Sequence, residues 1–232
     1  MPDLLVIVPT RGRPRSVAAV AEAWDFTGGW DAADLMFVAD IDDPALEEYR
    51  AEVGRTRARL AAPDPWRPLV PKLNAAAVAE AGRYFALAFA GDDHLPRTFG
   101  WATGMLAALR ELGTGVVYGD DLLRGESLAS SWAMTSDIVA ALGRMVPAPV
   151  EHMFCDNAVM ELARRAGCLR YLPDVVVEHM HPLAGKAEWD PGYHRVNQAA
   201  QYERDGVTWA RYVGDGLDAD AHTVRQLRAT RV

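Results

Sequence analysis

The chain has 232 residues, 50% of them hydrophobic, and a formal net charge of −8 at pH 7. That is enough chain to bury a full core as one domain, while an acidic balance without a basic block argues against backbone-driven nucleic-acid binding. Cys155 and Cys168 form neither a disulfide framework nor a zinc pattern. No apolar stretch approaches the ~20 residues of a membrane span, and "MPDLLVIVPTRGRP" lacks the basic leader of a signal peptide, so a cytoplasmic setting is expected.

In chain order, Leu4 to Val8 is β-rich and ends at Pro9. A polar loop, "TRGRPRS", leads into a helix over 15–24 with Val17, Val20 and Ala21 at helical spacing. "DLMFVADIDD" predicts a second strand ending in acids. "DPALEEYRAEVG" predicts a helix with Asp43 as N-cap, Pro44 at the first position and Gly54 as the stop. "RARLAA" is a short third strand, "PDPWRPLVP" a rigid loop, "KLNAAAVAEAG" a helix and "YFALAFAG" a buried strand. "RTFGWATGMLAALRELG" is a further helix. In the second half "GVVYGDD" predicts a strand, "SLASSWAMTSDIVAALG" a strand then a helix capped by Ser136, and "CDNAVMELARRAG" a helix ending at Gly167. "YLPDVVVEHMHP" predicts a strand, and a polar, partly helical tail follows from about residue 185.

Alternating strands and helices in the first half predict an α/β fold with a parallel sheet covered by helices. Ligands of such sheets bind beyond the carboxyl ends of the strands. Three expected strand ends carry polar clusters: Thr10, Arg11 and Arg13; Asp40, Asp42 and Asp43; Asp92 and Asp93. Adjacent carboxylates beyond a buried segment repel each other and are costly to desolvate. Oxygen ligands of this kind suit Mg²⁺ or Mn²⁺, usually shared with substrate phosphates. The other reading makes Asp93-His94-Leu95-Pro96 the cap of the following helix.

"LLVIVPTRGRP", "VADIDD", "KLNAAA" and "FAGDDHLP", in this order and followed by "FCDNAVMELARRAG", resemble a nucleotide-sugar glycosyltransferase of the GT-A type, family 2-like, over about residues 3 to 185. The resemblance implies a Rossmann-like nucleotide-binding sheet merged with a smaller acceptor-binding half. One domain is expected over 1–232: about 1–120 for the nucleotide sugar, about 121–185 for acceptor and catalysis, and 186–232 as a helical tail. It implies Mn²⁺ or Mg²⁺ as cofactor, a nucleotide-sugar donor and an acceptor of unknown identity. "GDDHLP" matches the family's DXD-type motif, with Asp93 as the metal-binding acid and Asp92 nearer the ribose or a metal-bound water. The slot of a third acid holds Gly91 or His94. Pro9, Thr10 and Arg13 match the loop that touches the nucleotide, and Arg11 beside them could reach the diphosphate. Asp40 or Asp42 matches the acid that bonds base or ribose, Asp43 being assigned to the helix cap. Lys72 and Asn74 match a helix lining the nucleotide pocket. Asp156 is the candidate general base of an inverting enzyme, with an N-cap as the alternative, and Cys155 stands where the family usually has Glu.

"VVVEHMHP" supplies His179 and His181 on one face of a strand. The family often brings one late histidine to the metal, and His181 is the first choice. Asp120 and Asp121 either close a turn or contact sugar or acceptor, and His179 is a further candidate for such a contact. Trp132 lies where family members form an acceptor wall, with core packing as the alternative. Two rivals stand beside this reading. A sugar-phosphate nucleotidyltransferase would carry a glycine-rich loop with Arg and Lys after the first strand, whereas "PTRGRPRS" has one glycine and no lysine. A non-catalytic glycan- or nucleotide-binding module would dispense with acids such as Asp93 and Asp156.

Overall fold

The computed structural model describes residues 3–62 and 64–230; Pro63 of the expected rigid loop, and 1–2 and 231–232 at the chain ends, lie outside them. Four parallel strands open the fold: β1 (Leu4–Pro9), β2 (Ala33–Val38), β3 (Arg59–Ala61) and β4 (Ala86–Phe89). They stand in the order β3-β2-β1-β4. The sheet then continues through β7 (Trp132–Thr135), β6 (Val116–Asp120), β8 (Leu169–His179) and β5 (His94–Pro96). β7 runs antiparallel to β4 and β6, β8 is parallel to β6, and β5 is antiparallel to β8.

The strands read as unbroken apolar runs because both faces are buried. Leu5 and Ile7 of β1 point into one core, and Leu4, Val6 and Val8 into the other. The second core is covered by α1 (Ser16–Thr27), α2 (Leu46–Val53) and α4 (Trp101–Leu112). The first is covered by α3 (Leu69–Glu80), α5 (Ser136–Leu142) and α6 (Cys155–Ala166). Three helices follow: α7 (Pro191–Val196), α8 (Ala199–Asp215) and α9 (Leu217–Ala229). Leu217, Ala221 and Val224 recur at helical spacing on α9 and are fully buried in the core shared with α5 and α6. The tail is therefore packed into the core.

Several boundaries differ from expectation for local reasons. Residues 94–96 form β5, with His94 opposite His179, and do not cap a helix. α3 begins three residues before Lys72 because Pro71 fits a first turn, where no N–H is needed. α2 begins at Leu46: the Asp43 carboxylate accepts the Ala45 N–H at 2.9 Å and the Gly12 N–H at 2.8 Å, tying two loops together ahead of the helix. Ser136 is the first residue of α5, after Thr135. β8 breaks register against β6, pairing Leu172 with Gly119 but Val176 with Asp120. Gly119 permits this bulge, since a Cβ there would lie 2.2 Å from the Val175 carbonyl oxygen. Past the bulge β8 delivers His179 beside the end of β4.

Candidate metal and nucleotide-sugar site

The carboxyl ends of β1, β2 and β4 converge, as the three polar clusters require. The Arg13 N–H donates to Tyr49 Oη (2.7 Å), Tyr49 Oη lies 2.7 Å from Thr10 Oγ1, and Thr10 donates to Asp92 Oδ2 (2.6 Å). The second oxygen of Asp92 accepts from Arg13 Nη1 at 3.0 Å. Burial and the adjacent Asp93 raise the Asp92 pKa to about 6, although Arg13 pulls it down.

Asp93 faces a different set of partners. Its Oδ2 accepts from Tyr193 Oη (2.7 Å) and lies 3.3 Å from His179 Nε2. Its Oδ1 lies 3.1 Å from His94 Nδ1. The imidazoles of His94 and His179 stack with centroids 4.1 Å apart. Burial would raise the Asp93 pKa, but the two histidines outweigh it and hold the carboxyl well below its usual range. Donor atoms of Asp93, His94 and His179 all lie within 4.8 Å of one another. The Gly91 N–H also points at His94 Nδ1, at 3.0 Å. That nitrogen has one lone pair or one hydrogen to share between Gly91 and Asp93. His94 Nε2 and His179 Nδ1 are buried with no hydrogen-bond partner among the described residues. Buried polar nitrogens without partners are costly; the ring nitrogens that face Asp93 are the other two, His94 Nδ1 and His179 Nε2. Gly91 stands where the motif's third acid was sought because a Cβ there would lie 2.4 Å from Asp93 Oδ1 and 2.7 Å from His94 Nδ1.

Beside the acids, Asp40 joins Lys72 Nζ (2.8 Å) and Arg11 Nη1 (2.9 Å), and Arg11 also reaches Asp42 (3.1 Å). Burial lowers the Lys72 pKa, partly offset by Asp40. Asp40 and Lys72 line a cleft of about 310 Å³ between α3 and the β2–β3 edge, together with Asp64, Arg67 and the small residues Ala61 and Ala76. Pro9 ends β1 beside this loop and is buried.

Asp156 lies in the first turn of α6, one residue inside its start; the N-cap position belongs to Phe154. Phe154 has φ 65°, a left-handed conformation a side chain enters at a cost of about 1–2 kcal/mol. Burial raises the Asp156 pKa, offset in part by N–H groups of its own turn, by Cys155 and by the charge of His179.

Other expected residues serve elsewhere. Asn74 Oδ1 accepts the N–H groups of Met145 (2.9 Å) and Val146 (2.8 Å), pinning that loop. Trp132 is 1% exposed and packs on Phe89, with centroids 4.5 Å apart, inside the core. Asp121 is buried and accepts three backbone N–H groups, so it closes a turn; Asp120 accepts the Leu122 N–H there. His181 Nδ1 accepts the Leu183 N–H (3.1 Å), its ring 4.9 Å from that of His179. Of the two late histidines, His179 is the one in contact with Asp93.

Sequence reasoning missed Tyr193 and Asp190. Arg13 makes a two-point pair with Asp190, Nε to Oδ2 at 2.6 Å and Nη2 to Oδ1 at 2.8 Å, and its guanidinium lies 3.9 Å from the Tyr193 ring centre. The signal available was "DPGYH", an Asp N-cap with Pro at the first helical position, which marks where the tail turns back.

No protein-family model matches the chain, and no curated protein does. Solved structures do. PcManGT, a mannosyltransferase from Pyrobaculum calidifontis in complex with GDP-Man and Mn²⁺, matches with TM-score 0.69 and 16% identity, over 97% of this chain and 70% of that one. The fold is GT-A. S. aureus TarS 1–349 matches with TM-score 0.58 and 11% identity, over 100% of this chain and 91% of that one. TarS 1–349 in complex with UDP-GlcNAc matches with TM-score 0.57 and 12% identity, over 92% of this chain and 72% of that one. Among the described residues no helix of this GT-A chain is long and apolar enough to cross a membrane.

Proposed function

We propose that the chain is a metal-dependent glycosyltransferase that moves a sugar from a nucleotide-sugar donor to an acceptor hydroxyl, with inversion. The observation that carries this reading is the Asp93–His94–His179 cluster beside the Asp92–Arg13 pair, joined to the Asp40–Lys72 pair through Thr10, which donates to Asp92 and whose carbonyl accepts from Lys72. The neighbours in complex with GDP-Man and Mn²⁺ and with UDP-GlcNAc support it by fold.

The donor set fits a divalent cation. Asp93 and His179 would hold it, with His94 joining once its Nδ1 is released from the Gly91 N–H. One carboxylate with two imidazoles favours Mn²⁺ over Mg²⁺, which prefers oxygen ligands. When bound, the ion would neutralise charge on the leaving diphosphate. Arg13 and Thr10 orient Asp92, and Tyr193, its pKa raised by burial and by Asp93, stays protonated as a donor. Lys72 and Asp40 flank the cleft as partners for ribose or base. Asp156 accepts the proton of the acceptor hydroxyl as that oxygen attacks the anomeric carbon. The chain acts as one domain, residues to about 120 serving the donor and those to 185 serving the acceptor. A panel of nucleotide sugars assayed for hydrolysis and transfer tests this: turnover that needs Mn²⁺ and falls in Asp93→Ala is expected, and turnover indifferent to chelation would refute it.

A further inference from the structure

We infer that the segment from Lys186 to Asn197 is an autoinhibitory strap in which the Asp190 carboxylate occupies the place on Arg13 that a donor phosphate takes. This rests on the glycosyltransferase reading of the same site and adds how access to it is controlled.

Arg13 is the hub. Its fork gives two hydrogen bonds to Asp190 and one to Asp92, while its flat face lies on Tyr193. A guanidinium offers the same two-point geometry to phosphate as to carboxylate. Tyr193 in turn donates to Asp93 Oδ2, the oxygen that also faces His179. The strap therefore takes both the cationic and the metal-facing groups of the site. Two carboxylates, Asp92 and Asp190, already pair with this one arginine, and a third, Asp93, is bonded to the Tyr193 ring that Arg13 lies on. A diphosphate arriving there adds further negative charge, and Asp190 is the carboxylate that can leave, because it stands on a separate segment and is the most exposed partner of Arg13, at 35% against 8% for Asp92.

The segment is built to move. Its anchors are polar and ring contacts: the Arg13–Asp190 and Tyr193–Asp93 bonds, the Tyr193 hydroxyl to the Met180 carbonyl (3.5 Å), Arg13 on the Tyr193 ring, a Lys186–Glu178 pair at 2.8 Å, Tyr202 to Asn197 (3.3 Å), and ring contacts of Trp189 and Tyr193 with His181. In α7 only Tyr193 is buried, and Trp189 ahead of it is 44% exposed. Gly185, at φ 68°, supplies a pivot just before the segment. Few buried apolar contacts and one short helix mark a low-stability element.

The test compares wild type with Asp190→Asn, which removes the charge and keeps an N-cap side chain for α7. GDP, UDP, ADP, CDP and dTDP are titrated calorimetrically in the presence of Mn²⁺. If Asp190 competes for Arg13, the variant binds the preferred nucleotide roughly three- to tenfold more tightly, because the competent state is no longer a minority. Hydrogen exchange on wild type gives a second readout that needs no variant. The amides of Tyr193, His194 and Asn197, bonded within α7, should exchange faster once nucleotide and Mn²⁺ are bound. Equal or weaker binding by the variant, or slower exchange of those amides on binding, would overturn the strap alone. Wild type that binds none of the five nucleotides with Mn²⁺ would overturn the glycosyltransferase reading and the strap with it.

Discussion

The same dipeptide, Asp-Asp, ends two strands of this sheet, Asp92–Asp93 after β4 and Asp120–Asp121 at the end of β6, and the two pairs have opposite surroundings. Asp121 is saturated: Oδ1 accepts the N–H groups of Leu123, Arg124 and Gly125, and Oδ2 accepts from Ser130 Oγ. Burial would raise its pKa, and these donors overcome that and lower it. Nothing is left over for a ligand. Asp93 instead leans on side chains that can turn away, two imidazoles and one phenol, and both imidazoles keep a buried nitrogen without a partner. A carboxylate held by fixed backbone dipoles closes a turn. A carboxylate held by movable, under-satisfied side chains keeps the capacity to bind. That difference follows from the neighbours, not from the residues themselves.

Substitutions can break this contrast. The largest effect is expected at Asp156: Asp156→Asn should cut transfer by about 10²–10⁴-fold, the range for a general base. It should also raise the melting temperature at pH values above the raised Asp156 pKa. The raised folded-state pKa means the native protein holds this proton more tightly than the unfolded chain, so stability falls as pH rises from the ordinary Asp value through the raised one. Above the raised value that penalty is complete, and a neutral amide removes it. In wild type the acid limb of kcat/KM should lie above the usual carboxylate range, with activity lost as pH falls and the base protonates. A pH–rate profile and a thermal melt check both.

Asp93→Ala should lower turnover by about 10²–10³-fold, as loss of one electrostatic group in an active site does, and should remove Mn²⁺ binding while leaving the fold intact. Asp121→Ala should do the reverse. It leaves buried N–H groups unpaired at a cost of about 1–3 kcal/mol each before relaxation, so the urea midpoint should drop, while the folded fraction retains Mn²⁺ affinity. Asp120→Ala should be smallest, within about 0.5 kcal/mol, since it loses a single exposed turn bond. If Asp121→Ala abolished Mn²⁺ binding in folded protein, the contrast between the pairs would be wrong.

Much of the first half was legible because its signals are local. Apolar runs ending in Pro9, Asp40 and Asp92 mark strands buried on both faces, and the parallel order brings their polar ends together without further information. The second half was less legible because partners distant in sequence decide it. Nothing around His94 says that residues 94–96 will pair with 177–179, yet that pairing is what stacks His94 on His179. "SSWAMTS" fits a core strand and, through the resemblance, an acceptor wall; Trp132 lies opposite Phe89 and packs in the core. The contact of Tyr193 with Asp93 spans 100 positions and depends on how the tail folds back, which hydropathy patterning does not encode.

The central claim is that Asp93 and its histidines bind a divalent cation. Mn²⁺ titrated into the protein and followed by electron paramagnetic resonance, with detection of imidazole-nitrogen coupling, tests it most directly. One Mn²⁺ per chain with nitrogen coupling that vanishes in Asp93→Asn is the expected result. Mn²⁺ bound without nitrogen coupling, or bound equally by that variant, would contradict it.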